Sequence, residues 1–152
     1  MTTELDHLTT EEKAQIIMAP ALVSVYAALY DDGKIEPKEK ADAIRLAHLR
    51  TFTSDEILHS YYKKVDEHFE EHFNELVTQL PDGKEERNDF LESKLKSIGK
   101  SLSKVESEFA EDLARSLKSF SRHVFRSNSH FLEYFILPGV INHIEKTIFS
   151  EN

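Results

Sequence analysis

Apolar residues recur at steps of three and four along most of this chain, and strand-like alternation of useful length is absent. The strongest run is Leu91, Leu95, Ile98, Leu102, Val105, Phe109, Leu113, Leu117, Phe120 and Val124. It predicts one helix of about 40 residues, or two helices broken near Gly99. A stripe of this kind is read as core packing, and it is also compatible with a homodimer seam.

The other elements follow from periodicity and from their end signals. A first helix is expected from about residue 10 to 31, opened by Thr9 and Glu12 at capping-box spacing and kinked at Pro20, which has no N–H to give. Residues 14–30 carry no charge, which raises the question of a membrane span. The segment is shorter than the roughly 20 apolar residues a spanning helix needs. Asp31 and Asp32 follow it directly. It therefore reads as a central helix buried by the others, and the chain as not integral to a membrane.

Gly33 suits a helix end and Pro37 a helix start, so a second helix is expected at about 37–51. Its inward face is read as Ala41, Ile44, Ala47 or His48, and Leu49. A third helix is expected from Thr53, with Glu56 completing a second capping box. Its inward face is Leu58, Tyr61, Tyr62, Val65, Phe69, His72, Phe73, Leu76 and Leu80, and residues 81–84 (Pro-Asp-Gly-Lys) stop it. Asn128 and Ser129 offer a cap for a last apolar helix, interrupted at Pro138 and Gly139. The expectation is an all-α fold, a single domain over 1–152 arranged as a bundle of five to seven helices.

Composition narrows the function classes. The formal charge of −9 and the lack of a basic run argue against nucleic acid and against anionic lipid. An acidic surface suits a cation or a basic protein partner. The chain has no cysteine, which removes disulfides, thiol nucleophiles and Cys-based zinc sites. No basic, then apolar, leader stands at the start, so a cytoplasmic location is expected.

The loop between the first two helices carries the most chemistry. Set against a calcium-binding EF-hand loop, Asp32 takes position 5, Gly33 position 6, Ile35 position 8 and Glu39 position 12, but Ala28 and Tyr30 fall where oxygen ligands are required. An ordinary EF-hand is excluded. The same segment, an uncharged helix followed by Asp32-Gly33-Lys34-Ile35-Glu36-Pro37-Lys38-Glu39 and a second helix, resembles the TerB-like (tellurite-resistance) family over about residues 16–65. The resemblance implies a cytoplasmic helical bundle linked to stress responses, acting as an acidic adaptor or metal-associated component. It places the family's acidic positions on Asp32 and Glu39, with Asp31 and Glu36 beside them. The second acidic loop that the family carries late in the chain has no counterpart in 119–135, and Asp82-Gly83 reads as a turn. Structurally, Gly33 and Pro37 serve backbone geometry, while Glu39 lies near a helix N-terminus that favours a carboxylate.

Eight histidines invite metal readings. His68, Glu71 and His72 spell the H-x-x-E-H signature of inverted zincins, yet a helical wheel puts His72 near the apolar face and Glu71 toward solvent. Glu56 and His59 have the spacing of a di-iron half-site, whose only second match, Glu4 and His7, lies near the chain start. His48, His72, His123 and His143 are the inward candidates for a haem or hemerythrin-type iron. No nucleophile elbow, P-loop or dinucleotide fingerprint is present. The chain is therefore expected to be a non-enzymatic interaction component working through Asp31, Asp32, Glu36 and Glu39. The alternative is a divalent-cation protein using Asp32 and Glu39, or His68, Glu71 and His72.

Overall fold

A computed structural model describes residues 5–32 and 35–125, with side chains described for 5–29 and 35–120. Among the described residues, five α-helices form an all-α bundle: α1 (Thr10–Asp32), α2 (Pro37–Thr53), α3 (His59–Gln79), α4 (Lys84–Leu102) and α5 (Ser107–Phe125). The final helix expected after Asn128 lies outside the described residues.

The capping box at the start of α1 forms as its spacing requires. The Thr9 N–H donates to Glu12 Oε1 at 3.0 Å, and the Glu12 N–H donates to Thr9 Oγ1 at 3.1 Å. The helix continues through Pro20. It is buried nearly all round, from Ile16 and Ile17 through Leu22 and Val25 to Ala27 and Ala28. It packs on α3, α4 and α5, so its uncharged face is the bundle's centre. Among the described residues, no helix is long and apolar enough to cross a membrane.

α3 buries Leu58 just before it, then Tyr61, Tyr62, Val65, Phe69, Phe73 and Leu76, much as its spacing predicts. Its start differs from the expectation. α2 runs on through Thr53, which is still part of that helix rather than the cap of a new one, and its hydroxyl donates back to the Leu49 carbonyl at 3.1 Å. The chain turns at Ser54, makes a short 3-10 turn over Glu56–Leu58, and only then enters α3.

The long stripe divides into two helices, but not at Gly99, which stays helical and buried within α4. The break falls just beyond it, where Lys104 N–H bonds to Ser101 O at 3.2 Å and Val105 N–H to Leu102 O at 3.0 Å. From Leu91 to Phe120 every stripe residue is in the core, which is the packing role predicted for it. Aromatic rings lock the layers together. Tyr61 meets Phe109 edge-on at 6.0 Å, and Phe69 meets Phe120 at the same centroid distance.

α2 is rotated relative to the expected face. Ala43, Ala47 and Thr51 are the buried positions, while Ile44 and Leu46 are half-buried. Ala41, His48 and Leu49 face outward. Small side chains at the contact let α2 lie close on α3 and α5, while Ile44 and Leu46 pack at the edge of the core and Leu49 and Phe52 are left outside.

Candidate functional site

Of the acidic loop, side chains are described from residue 35 onward. Glu36 stands at the N-cap of α2, exposed and extended (φ −77°, ψ 145°). Glu39 reaches back so that its Oε1 accepts the Glu36 N–H at 2.8 Å. One of the two carboxylates expected to hold a cation is thus engaged in closing the first turn of a helix, where the free N–H groups favour negative charge. Asp31 and Asp32 end α1, and their side chains lie outside the described residues. Lys40 turns away from the loop to pair with Glu70 of α3 at 3.6 Å.

On α3 the His68 and His72 rings stack at 5.8 Å with their planes 29° apart. Glu71 Oε2 is 3.7 Å from His68 Nδ1, and Glu67 Oε2 is 3.8 Å from His68 Nε2. The motif therefore does bring His68, Glu71 and His72 into one cluster on the rim of the core. His72 is half-buried, and its Nδ1 has no hydrogen-bond partner. Burial lowers its pKa below the ordinary histidine value, His68 adds to the effect, and Glu75 and Glu71 oppose it. A neutral imidazole with a free ring nitrogen is the form that ligates metals. Among the described residues, however, no group of three His, Asp or Glu side chains is placed to hold a metal ion.

The other histidines are spoken for individually. His59 Nε2 donates to the Ser54 carbonyl at 2.7 Å, which ties the 3-10 turn to the end of α2. His7 Nε2 donates to the Lys104 carbonyl at 2.5 Å. His48 Nδ1 is 2.9 Å from Asp66 Oδ2, out on the surface. The inward-pointing role read for His48 is therefore incorrect: the rotation of α2 carries it outward. His123 and His143 fall outside the described side chains.

Two features were not anticipated from sequence. The first is the outer face of α2, where Phe52 is 71% exposed and Leu49 45%. His48 packs edge-on against Phe52 at 5.7 Å. Periodicity alone misplaces this face, because the apolar residues on both sides of α2 satisfy helical spacing. The second is a polar cleft between the end of α2, the 3-10 turn and α5, containing Arg50 and Arg115. Nothing in the local sequence links these arginines, which meet only through tertiary packing. Compared with protein-family models, with curated proteins and with solved structures, the chain matches none of them.

Proposed function

We propose that this chain is a non-enzymatic, cytoplasmic interaction component of a TerB-like stress-response system, and that it docks a protein partner along the outer face of α2. The observation that carries the reading is the exposure of Phe52 and Leu49, two large apolar side chains three residues apart on one face. The helix that presents them begins at the acidic loop. Glu36 lies about 24 Å away along the helix axis, at 1.5 Å per residue. An acidic end and an apolar end on one rod suit a partner segment that offers basic residues and an apolar anchor. The likeness of residues 16–65 to the TerB-like family supplies the stress-response setting.

A photoreactive residue at position 52 of the full chain tests this in cells. Crosslinking of one identified protein at 52 and also at 36, with none at Lys96 on α4, supports docking on α2. Equal, scattered crosslinking at all three positions would sink it. Tellurite survival of cells producing wild type or Phe52→Asp tests the stress-response half separately.

The unpartnered Nδ1 of His72 favours a second reading, in which His68 and His72 take up a transition-metal ion with Glu71 nearby. Thermal unfolding in EDTA against Ca, Mg, Mn, Zn and Fe(II) decides it. An ion at one hundred times its Kd adds about 2.7 kcal/mol, enough to raise Tm by roughly 5–10 °C. A zinc shift lost in His72→Ala supports helix α3, one lost in Asp32→Ala supports the acidic loop, and no shift removes both.

A further inference from the structure

Among the described residues, five buried side-chain polar atoms have no hydrogen-bond partner, and three of them, Arg50 Nε, Ser54 Oγ and Arg115 Nε, belong to residues lining the same cleft. The cleft has a volume of about 180 Å³ and is formed where α2, the 3-10 turn and α5 come together. Unpaired buried groups are uncommon in folded proteins, and a cluster of them points to a missing partner. The chemistry of that partner is constrained. An arginine Nε can only donate, so its partner must supply an acceptor oxygen, which excludes a cation.

Further donors face the same space. Arg50 Nη2 donates to Ser119 Oγ at 3.0 Å, which leaves the Ser119 hydroxyl hydrogen for another acceptor. Arg115 is held in place by Asp112 at 3.0 Å, and Glu111 stands 3.8 Å away. Asp55 and Asp112 also line the cleft, so it is not uniformly basic. Burial raises the Asp112 carboxyl above its ordinary range, with Arg115 opposing and Asp55 reinforcing. Size rules out large ligands, because drug-sized and cofactor sites occupy about 300–1,000 Å³.

We propose that this cleft binds a small tetrahedral oxyanion, with inorganic phosphate the simplest example, between the guanidiniums of Arg50 and Arg115 and the hydroxyls of Ser54 and Ser119. Two guanidiniums from different helices can each take one edge of a tetrahedral anion, whereas a planar carboxylate offers a single two-oxygen edge. Entry requires rotation about the last torsions of the two arginine side chains, since their Nε atoms are shielded from solvent.

The test is a titration of the full chain with sodium phosphate at constant ionic strength, followed by proton–nitrogen spectra that include the arginine Nε–H signals. Saturable shifts at Arg50 and Arg115 are expected. Arg50→Gln should weaken the binding about tenfold, as losing a charge-assisted hydrogen bond does. Ser54→Ala, which leaves both ion pairs in place, should fold normally and weaken it by a smaller factor. Lys96→Gln on α4 should change nothing. Linear, unsaturated drift overturns the proposal and leaves a cleft filled by water. Saturation that persists in both Arg50→Gln and Ser54→Ala overturns it as well, and acetate binding as tightly as phosphate overturns the tetrahedral assignment.

Discussion

The hydroxyl of Tyr61 on α3 donates to the carbonyl of Ile16 on α1 at 2.8 Å, deep in the core. Ile16 is the residue four places before Pro20, and Pro20 has no N–H with which to close that turn of the helix. The carbonyl would be stranded in an apolar interior were the tyrosine not there. Burial pushes the Tyr61 hydroxyl well above its ordinary pKa, so it stays protonated and able to donate. Pro20 inside the central helix and Tyr61 on α3 are thus one structural unit.

Tyr61→Phe should therefore destabilise the fold by about 1–3 kcal/mol, the cost of leaving a buried carbonyl unsatisfied. Pro20→Ala restores an N–H for Ile16 and should make the Tyr61→Phe change cheaper. Urea denaturation of the two single variants and the double variant measures the coupling. Strictly additive effects would mean that the two residues act independently.

Much of the bundle is legible because α3, α4 and α5 each have a clear buried side, and because α1 is uncharged and buried nearly all round. Leu91 to Phe120 and Leu58 to Leu76 follow their helical periods into the core. α2 is not legible in this way. Ala41 and Leu49 fit a helical apolar face as well as Ala43 and Ala47 do, and only the packing on α3 and α5 decides between them. The start of α3 was hidden for a related reason. Thr53 and Glu56 have cap spacing, but the Thr53 hydroxyl is bonded within α2. The candidate sites divide similarly. Glu39 as a helix-closing carboxylate follows from its position, whereas Arg50 and Arg115 converge only in three dimensions.

The contrast between exposed and buried phenylalanines gives a second test. Phe120 is completely buried against Phe69, so Phe120→Ala should cost about 3–5 kcal/mol. Phe52→Ser should change stability by no more than about 0.5 kcal/mol, since most of its ring already meets solvent. A large loss at Phe52 in thermal or urea unfolding would show that its ring supports the fold, and would remove the basis for docking on α2.

The start of α1 predicts an acid-sensitive contact. Thr9→Ala should cost about 1 kcal/mol through loss of the cap. The Glu12 carboxyl is lowered from 4.5 to about 2, first by hydrogen bonding from Lys104 and next by the Thr9 backbone N–H. A folded pKa below the unfolded one gives stability that is intact above about pH 4.5 and lost as the pH falls toward 2. Glu12→Gln should flatten the stability profile in that acid window, measured by urea unfolding at fixed ionic strength. An unchanged slope would show that Lys104 and Thr9 do not favour the ionised form.

His72 carries the prediction nearest physiological pH. Its pKa is lowered, chiefly by burial and secondarily by His68, while Glu75 and Glu71 pull the other way. The unfolded chain therefore takes up a proton at a higher pH than the folded one does. Stability from this residue is complete above its ordinary value of 6.5 and is lost as the pH falls through the lowered folded value. Protonation would also place a positive charge against the His68 ring with which it stacks. His72→Gln, which retains a polar side chain without a titrating ring, should remove the part of the decline that begins below pH 6.5. Following both histidine ring signals by NMR through the same range separates the causes. A His72 that titrates at or above the ordinary value would contradict the lowering by burial, and with it the neutral imidazole that a metal would need near neutral pH.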